Sequence, residues 1–169
     1  DVRISAVCDV HRGRVEAAAE MAGGGAARYG DFRKLLESKD VDAVVIATPD
    51  HWHALTTIEA VRSGADVYCQ KPISVDVVEA QAMLAAARAT GMRMVGPNSQ
   101  GLANFGTGAI ANFSTIFNDA PCLPGPVAII SQSGALSQLI YSLLYQRNIG
   151  VRHCHATGNE ADITVAELA

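Results

Sequence analysis

Aromatic side chains are scarce in this sequence, at 5% with a single tryptophan, and charged residues reach only 18%. Basic charge is also in deficit: 13 Lys and Arg stand against 17 Asp and Glu, a net charge of -4. That balance argues against a nucleic-acid or anionic-membrane partner, both of which attract a basic surface. A small-molecule ligand is the expectation, with no nucleic acid and no membrane. The 4 cysteines (Cys8, Cys69, Cys122, Cys154) contain no CxxC pair. A chain of this size needs no disulfide staples, so a reducing, cytoplasmic setting is expected. No apolar run approaches the roughly 18 residues of a membrane span, and there is no signal peptide. The chain opens at Asp1-Val2-Arg3 without an initiator methionine and closes at Glu167-Leu168-Ala169 inside a helical pattern, so both ends read as cut.

What is present is enough apolar material for a core: 49% hydrophobic residues in 169, the length of one ordinary domain and short for two. Short β-branched runs alternate with longer alanine-rich stretches at helical spacing, the pattern of βαβ units around a parallel sheet. Strands are expected at 3–8, 26–29, 43–48, 66–69, 93–95, 127–131 and 151–156. Helices are expected at 12–22, 31–38, 53–63, 75–90, 135–147 and from 164 onward. Gly64, Gly91 and Gly150 each follow a helix, where a left-handed cap residue is wanted. Between Gly96 and Gly125 the periodicity fails and Gly, Asn and Pro take over. A structureless connection of that length is uncommon within one domain, so the expected organisation is a first piece at 1–95, a loop or linker at 96–125 and a second piece at 126–169.

In the first piece, the strand ending at Cys8 is followed by Asp9 and then a helix. A carboxylate there can accept hydrogen bonds from the 2' and 3' hydroxyls of an adenosine ribose, with Arg12 able to meet a 2'-phosphate instead. Equally, Asp9 can be a helix cap. Thr48-Pro49-Asp50-His51-Trp52-His53 follows the apolar run VVIAT and opens a helix, and Tyr68-Cys69-Gln70-Lys71-Pro72 closes the next strand. His51 and His53 read either as ligand contacts or as polar capping, and no third metal ligand is legible beside them. The segments ATPDHWHA and GADVYCQKPIS resemble the third and fourth βα units of the NAD(P)-binding domain of the Gfo/Idh/MocA oxidoreductases. The resemblance implies a parallel, doubly wound Rossmann-like sheet, NAD or NADP as cofactor, and Lys71 as the catalytic group that polarises a hydroxyl or carbonyl during hydride transfer. It also implies Asp9 at the ribose, Thr48, Pro49, His51 and Trp52 along the dinucleotide, and Pro72 in the turn. The family's first βα unit, with its G-x-G-x-x-G turn for the pyrophosphate, has no counterpart here, because Gly23-Gly24-Gly25 follows a helix.

From about residue 88 the order GMRMVGPNSQG, VAIISQSGALS, ATGNEADIT resembles ADP-forming acyl-CoA synthetases of the succinyl-CoA-ligase type. It implies the start of a flavodoxin-like α/β subdomain and CoA or phosphate as ligand. Ser131-Gln132-Ser133-Gly134 is a strand-to-helix turn whose small residues expose amides at a helix start. The resemblance places Ser131, Ser133 and Gly134 toward a phosphate and Gly96, Pro97 and Asn98 on the substrate side. His153 and His155 alternate within one strand and so share a face, which reads as sheet-face packing rather than a phosphohistidine.

The helix at 75–90 begins like one family and ends like the other, placing a crossover between about Val77 and Arg88. The expected function is a nucleotide-binding α/β module, catalytically incomplete. The alternatives are an acid-CoA ligase fragment and a non-catalytic recombined scaffold. If active, an NAD(P)-dependent oxidoreductase is expected first and a ligase next. An exposed sheet edge makes a homodimer the candidate assembly.

Overall fold

The computed structural model describes residues 2–169. The chain divides into two compact units, one of residues 2–70 and 74–92, the other of residues 71–73 and 93–169.

The first unit runs β1 (Ala6–Cys8), α1 (Arg12–Met21), β2 (Ala27–Tyr29), α2 (Phe32–Leu36), β3 (Ala43–Ile46), a 3-10 turn (Asp50–Trp52), α3 (His53–Ser63), β4 (Asp66–Cys69) and α4 (Val77–Thr90). β1 pairs β2 and β3 pairs β4, both parallel. The expected single sheet over 3–95 is therefore two separate pairs. With no strand bonded between the pairs, the VVIAT run is not buried on both faces, and Val45 is 74% exposed. α3 ends where Gly64 takes a φ of 90°, and α4 where Gly91 takes 78°, a conformation that costs a residue with a Cβ. α4 is continuous across the inferred crossover. Asp76 caps it by accepting from the Glu79 amide at 2.8 Å, and Met83 and Ala87, four residues apart, bury one face.

The second unit runs β5 (Gly101–Asn104), β6 (Ala109–Asn112), α5 (Ile116–Asp119), β7 (Val127–Ser131), α6 (Gly134–Tyr145), β8 (Val151–Ala156) and α7 (Val165–Leu168). Residues 96–125, expected as a loop or linker, thus hold a hairpin and a short helix inside this unit. The hairpin was illegible because Leu102, Ala103, Ile110 and Ala111 lie among Gly and Asn and offer no clean alternation. The sheet order is β6-β5-β8-β7. It is mixed rather than parallel, since β5 runs antiparallel to both β6 and β8 while β7 and β8 run parallel. The strand expected at 93–95 does not form. The Met94 amide instead donates to the Asp162 carboxylate at 2.8 Å, and the Met94 carbonyl accepts from Ile163.

The core of this unit gathers Ala103, Phe105, Ile129, Tyr141, Val151 and Cys154. Three rings close it: Phe117 meets Phe105 and Tyr141 edge-on, with centroids 5.2 and 5.0 Å apart. The buried Tyr141 hydroxyl donates to the Ala120 carbonyl at 2.9 Å, and burial pushes its pKa up to about 12. Burial likewise raises the Cys154 thiol to about 11. Gly150 is not the left-handed cap expected after α6; Asn148 takes that conformation, with φ 54°. Gly150 is required because a Cβ there would run into the backbone of Pro124 and Gly125.

Candidate nucleotide and phosphate sites

In the first unit, Asp9 leaves the carboxyl end of β1 with its side chain folded back on the next turn. Its Oδ1 accepts from the His11 amide at 2.7 Å, and Oδ2 lies 3.9 Å from the Arg14 guanidinium. The cap of α1 is His11, whose Nδ1 accepts from the Arg14 amide, so the helix-cap alternative for Asp9 is not what forms. One carboxylate oxygen holds the turn and the other lies toward Arg14. Arg12 is exposed, whereas Arg14, absent from the sequence expectations, is the cation beside Asp9.

Beyond β3, Thr48, Pro49, His51 and Trp52 are all exposed, with Trp52 at 43%. His51 stands near Asp50 at 3.8 Å. His53 differs in kind. It is 2% exposed and its Nε2–H donates to the Thr48 carbonyl at 2.7 Å, so it is a packed histidine that fixes the turn before α3 rather than a ligand contact. No group of three or more His, Cys, Asp or Glu among the described residues is placed to hold a metal.

The second unit holds a cleft of about 770 Å³ lined among others by Lys71, Asn98, Gln100, Gln132, Ser133 and Gly134. Ser133 caps α6, its Oγ accepting from the Leu136 amide at 3.2 Å. Ser131 does not line the cleft. Its Oγ accepts from the Ser133 amide at 3.1 Å and so shapes the turn. Gly134 must be glycine because the Gln100 side chain occupies the space of a Cβ. Of the Gly96-Pro97-Asn98 loop, only Asn98 reaches the cleft. Gly96 and Pro97 serve through their carbonyls, which accept from Ala161 and Asn159 at 2.9 and 2.8 Å. Asn98 itself, at φ 59°, donates to the Asn159 side chain at 3.2 Å.

Two motifs distant in sequence are thereby joined, the GPN loop and the GNEAD loop. Glu160 accepts from the Thr157 hydroxyl at 2.7 Å and from the Val165 amide at 3.0 Å, and Asp162 pairs with Arg93 at 3.0 Å. The acidic residues of that loop are structural. Phe113, Gln138 and Asn159 also line the cleft; Asn159 belongs to the GNEAD motif, whereas no pattern in the sequence marks Phe113 or Gln138, which arrive from different elements. The sheet places the rings of His153 and His155 5.2 Å apart. Both Nδ1 atoms are buried without a partner, and burial, followed by the charge of His153, holds the His155 pKa below its ordinary value.

The geometry thus defines an α/β protein with two candidate sites. Residues 1–98 match the family described as "Oxidoreductase family, NAD-binding Rossmann fold", and the chain belongs to that family. Residues 124–169 match the "Succinyl-CoA ligase like flavodoxin domain". Among curated relatives, the inositol 2-dehydrogenase of Salmonella typhimurium is 34% identical over 94 residues, which cover 56% of this chain and 28% of that protein. The alpha subunit of the ADP-forming acetate–CoA ligase I of Pyrococcus furiosus is 38% identical over 88 residues, 52% of this chain and 18% of that protein. A solved structure, the WlbA dehydrogenase of Bordetella pertussis in complex with NADH and UDP-GlcNAcA, superposes with a TM-score of 0.52 at 25% identity over 57% of this chain and 30% of that one. The chain spans less than a third of the length of each of these relatives. No helix among the described residues is long and apolar enough to cross a membrane.

Proposed function

We propose that this chain is a nucleotide-binding module that takes the adenosine end of NAD or NADP in its first unit and does not complete hydride transfer. The observation that carries the reading is Asp9 at the carboxyl end of β1: its Oδ1 accepts from the His11 amide at 2.7 Å, which orients the side chain, and its Oδ2, 3.9 Å from the Arg14 guanidinium, keeps acceptor positions for ribose hydroxyls. The exposed Thr48, Pro49, His51 and Trp52 supply further surface for a dinucleotide, with Arg12 or Arg14 as the cation for a 2'-phosphate. When bound, the dinucleotide supplies the hydride chemistry. This chain's residues bind and orient it, but the 169 residues contain no G-x-G-x-x-G turn to hold the pyrophosphate. These 169 residues by themselves are therefore expected to bind the dinucleotide with an affinity on the order of millimolar or weaker.

The test is titration of the purified chain with NADH, followed by incubation with NAD(P) and a panel of polyols. Saturable weak binding without polyol-dependent NADH formation is expected. NADH formation that disappears in Lys71→Ala would refute the incomplete-site reading, and no saturable binding would refute the nucleotide reading. A second reading, an acid-CoA ligase fragment, is favoured by the cleft on which Ser133, Gly134 and Asn98 meet. It predicts that phosphate or CoA, rather than NADH, perturbs the second unit. A chain that responds to neither is a non-catalytic scaffold.

A further inference from the structure

The sheet of the second unit buries one face and leaves the other open. Ala103, Cys154 and Ile129 stand in register on the core face. On the opposite face the register runs Asn104, His153 and Ala128, then Leu102, His155 and Ile130. Ala128 is exposed and the other five are half-buried, so solvent reaches the two imidazoles. β8 lies inside the sheet, bonded to β5 on one side and β7 on the other. The two histidines are therefore presented by a strand held along both edges, a firmer platform than a loop.

The ring centroids are 5.2 Å apart and the planes are inclined at 47°, so the rings are not stacked face to face. That separation has a chemical reading. A zinc ion about 2.0 to 2.1 Å from one nitrogen of each ring lies about 3.2 Å from each ring centre, and a tetrahedral angle at the metal then sets the two centres about 5.2 Å apart. Both Nδ1 atoms are buried, which leaves Nε2, at the tip of each half-buried ring, as the nitrogen toward solvent. Neither histidine is in an ion pair among the described residues, and no carboxylate occupies the register positions beside them. Burial, followed by the charge of His153, lowers the His155 pKa; at neutral pH that ring keeps the lone pair that a metal requires. Imidazole nitrogens without carboxylates suit zinc, whereas calcium and magnesium want oxygen.

We propose that His153 and His155 chelate one zinc ion on the open face of the sheet through their Nε2 atoms. No third His, Cys, Asp or Glu joins them among the described residues, so water fills the remaining positions of the tetrahedron and the ion exchanges with solvent rather than holding the fold together. The site is independent of the nucleotide and phosphate readings above. It uses neither the dinucleotide surface of the first unit nor the cleft beside Ser133, whose lining includes neither histidine.

The experiment is a titration of the whole chain with zinc chloride at pH 7.5, read by the nitrogen-15 resonances of the His153 and His155 rings and by competition with a chromophoric chelator. One equivalent of zinc is expected to move the Nε2 resonance of both rings together, and calcium chloride to move neither. His153→Gln and His155→Gln should each weaken zinc binding about tenfold or more, because each leaves one ligand where chelation needs two. Cys8→Ser, which removes an exposed thiol of the first unit, should leave the response of the two rings unchanged. Zinc should also raise the melting temperature of the parent and not that of either histidine variant, as mass action requires of a ligand of the folded state. Melting without zinc shows whether the variants fold, and if either does not, the ring resonances of the parent decide. Zinc that moves neither ring overturns the site. Weakening in one variant alone, or movement of one ring alone, overturns chelation, and an equal response to calcium overturns the assignment to zinc.

Discussion

Replacing Asp9 by asparagine separates its two jobs. The carboxylate offers about four acceptor positions, of which one is occupied by the His11 amide at 2.7 Å. Asparagine keeps an Oδ1 for that amide, so the turn into α1 survives, but it presents an NH2 donor in place of the second oxygen, beside Arg14, and removes the charge. Alanine removes both. Loss of the side-chain hydrogen bond in Asp9→Ala should cost the first unit about 1 kcal/mol, while Asp9→Asn stays near zero. The nearby Arg14 adds little in either case, because its side chain is 77% exposed at 3.9 Å and such pairs contribute about 0 to 1 kcal/mol. Both variants should lose about 1 to 3 kcal/mol of NADH affinity, roughly five- to 150-fold. From a millimolar starting point, that loss takes binding out of range. Urea unfolding and saturation-transfer NMR with NADH measure the two quantities independently. Asp9→Ala destabilised but binding NADH like the parent, with Asp9→Asn unchanged in both, would return Asp9 to a purely local role and remove the observation on which the nucleotide reading rests.

Tyr141→Phe should destabilise the second unit by about 1 to 3 kcal/mol, since the Ala120 carbonyl loses its buried donor, and Tyr141→Ala by about 3 to 5 kcal/mol through the cavity left between Phe105 and Phe117; a neutral Tyr141→Phe would show that water replaces the hydroxyl. The folded-state pKa of His155 is lowered below the 6.5 of the free side chain by burial and then by His153. The unfolded chain therefore takes up the proton first, and stability should be full above pH 6.5 and decline as pH falls below it. His155→Gln should flatten that decline in melting temperature, and an identical profile for the variant would place the titration elsewhere. Cys154, 2% exposed with its thiol raised to about 11, should resist iodoacetamide at pH 8 until the unit unfolds, while the exposed Cys8 reacts first. Alkylation of Cys154 at the rate of Cys8 would mean that the core around Tyr141 opens far more readily than its packing implies.

Local chemistry was legible from the residues alone wherever a single element carries it. The spacing of α3, the caps Gly64 and Gly91, the strands 66–69 and 151–156, and the strand-to-helix turn at Ser133 each depend on neighbours a few positions away, and all formed where expected. So did the shared face of His153 and His155, which follows from the two-residue period of a strand. Family membership was legible for the same reason, because ATPDHWHA and GADVYCQKPIS are contiguous stretches.

What only the tertiary structure decided is everything that joins distant segments. Met94 is kept out of a strand by a carboxylate 68 positions away. The GPN loop is held by the GNEAD loop, the hairpin of 101–112 gains its place by pairing with β8, and His53 turns inward to a carbonyl that the sequence cannot point to. The cleft is the extreme case. Its wall draws on residues from 71 to 159, and that no acid lines it among the described residues cannot be read along the chain. That is a property of a surface, and a surface exists only after the backbone has brought its pieces together.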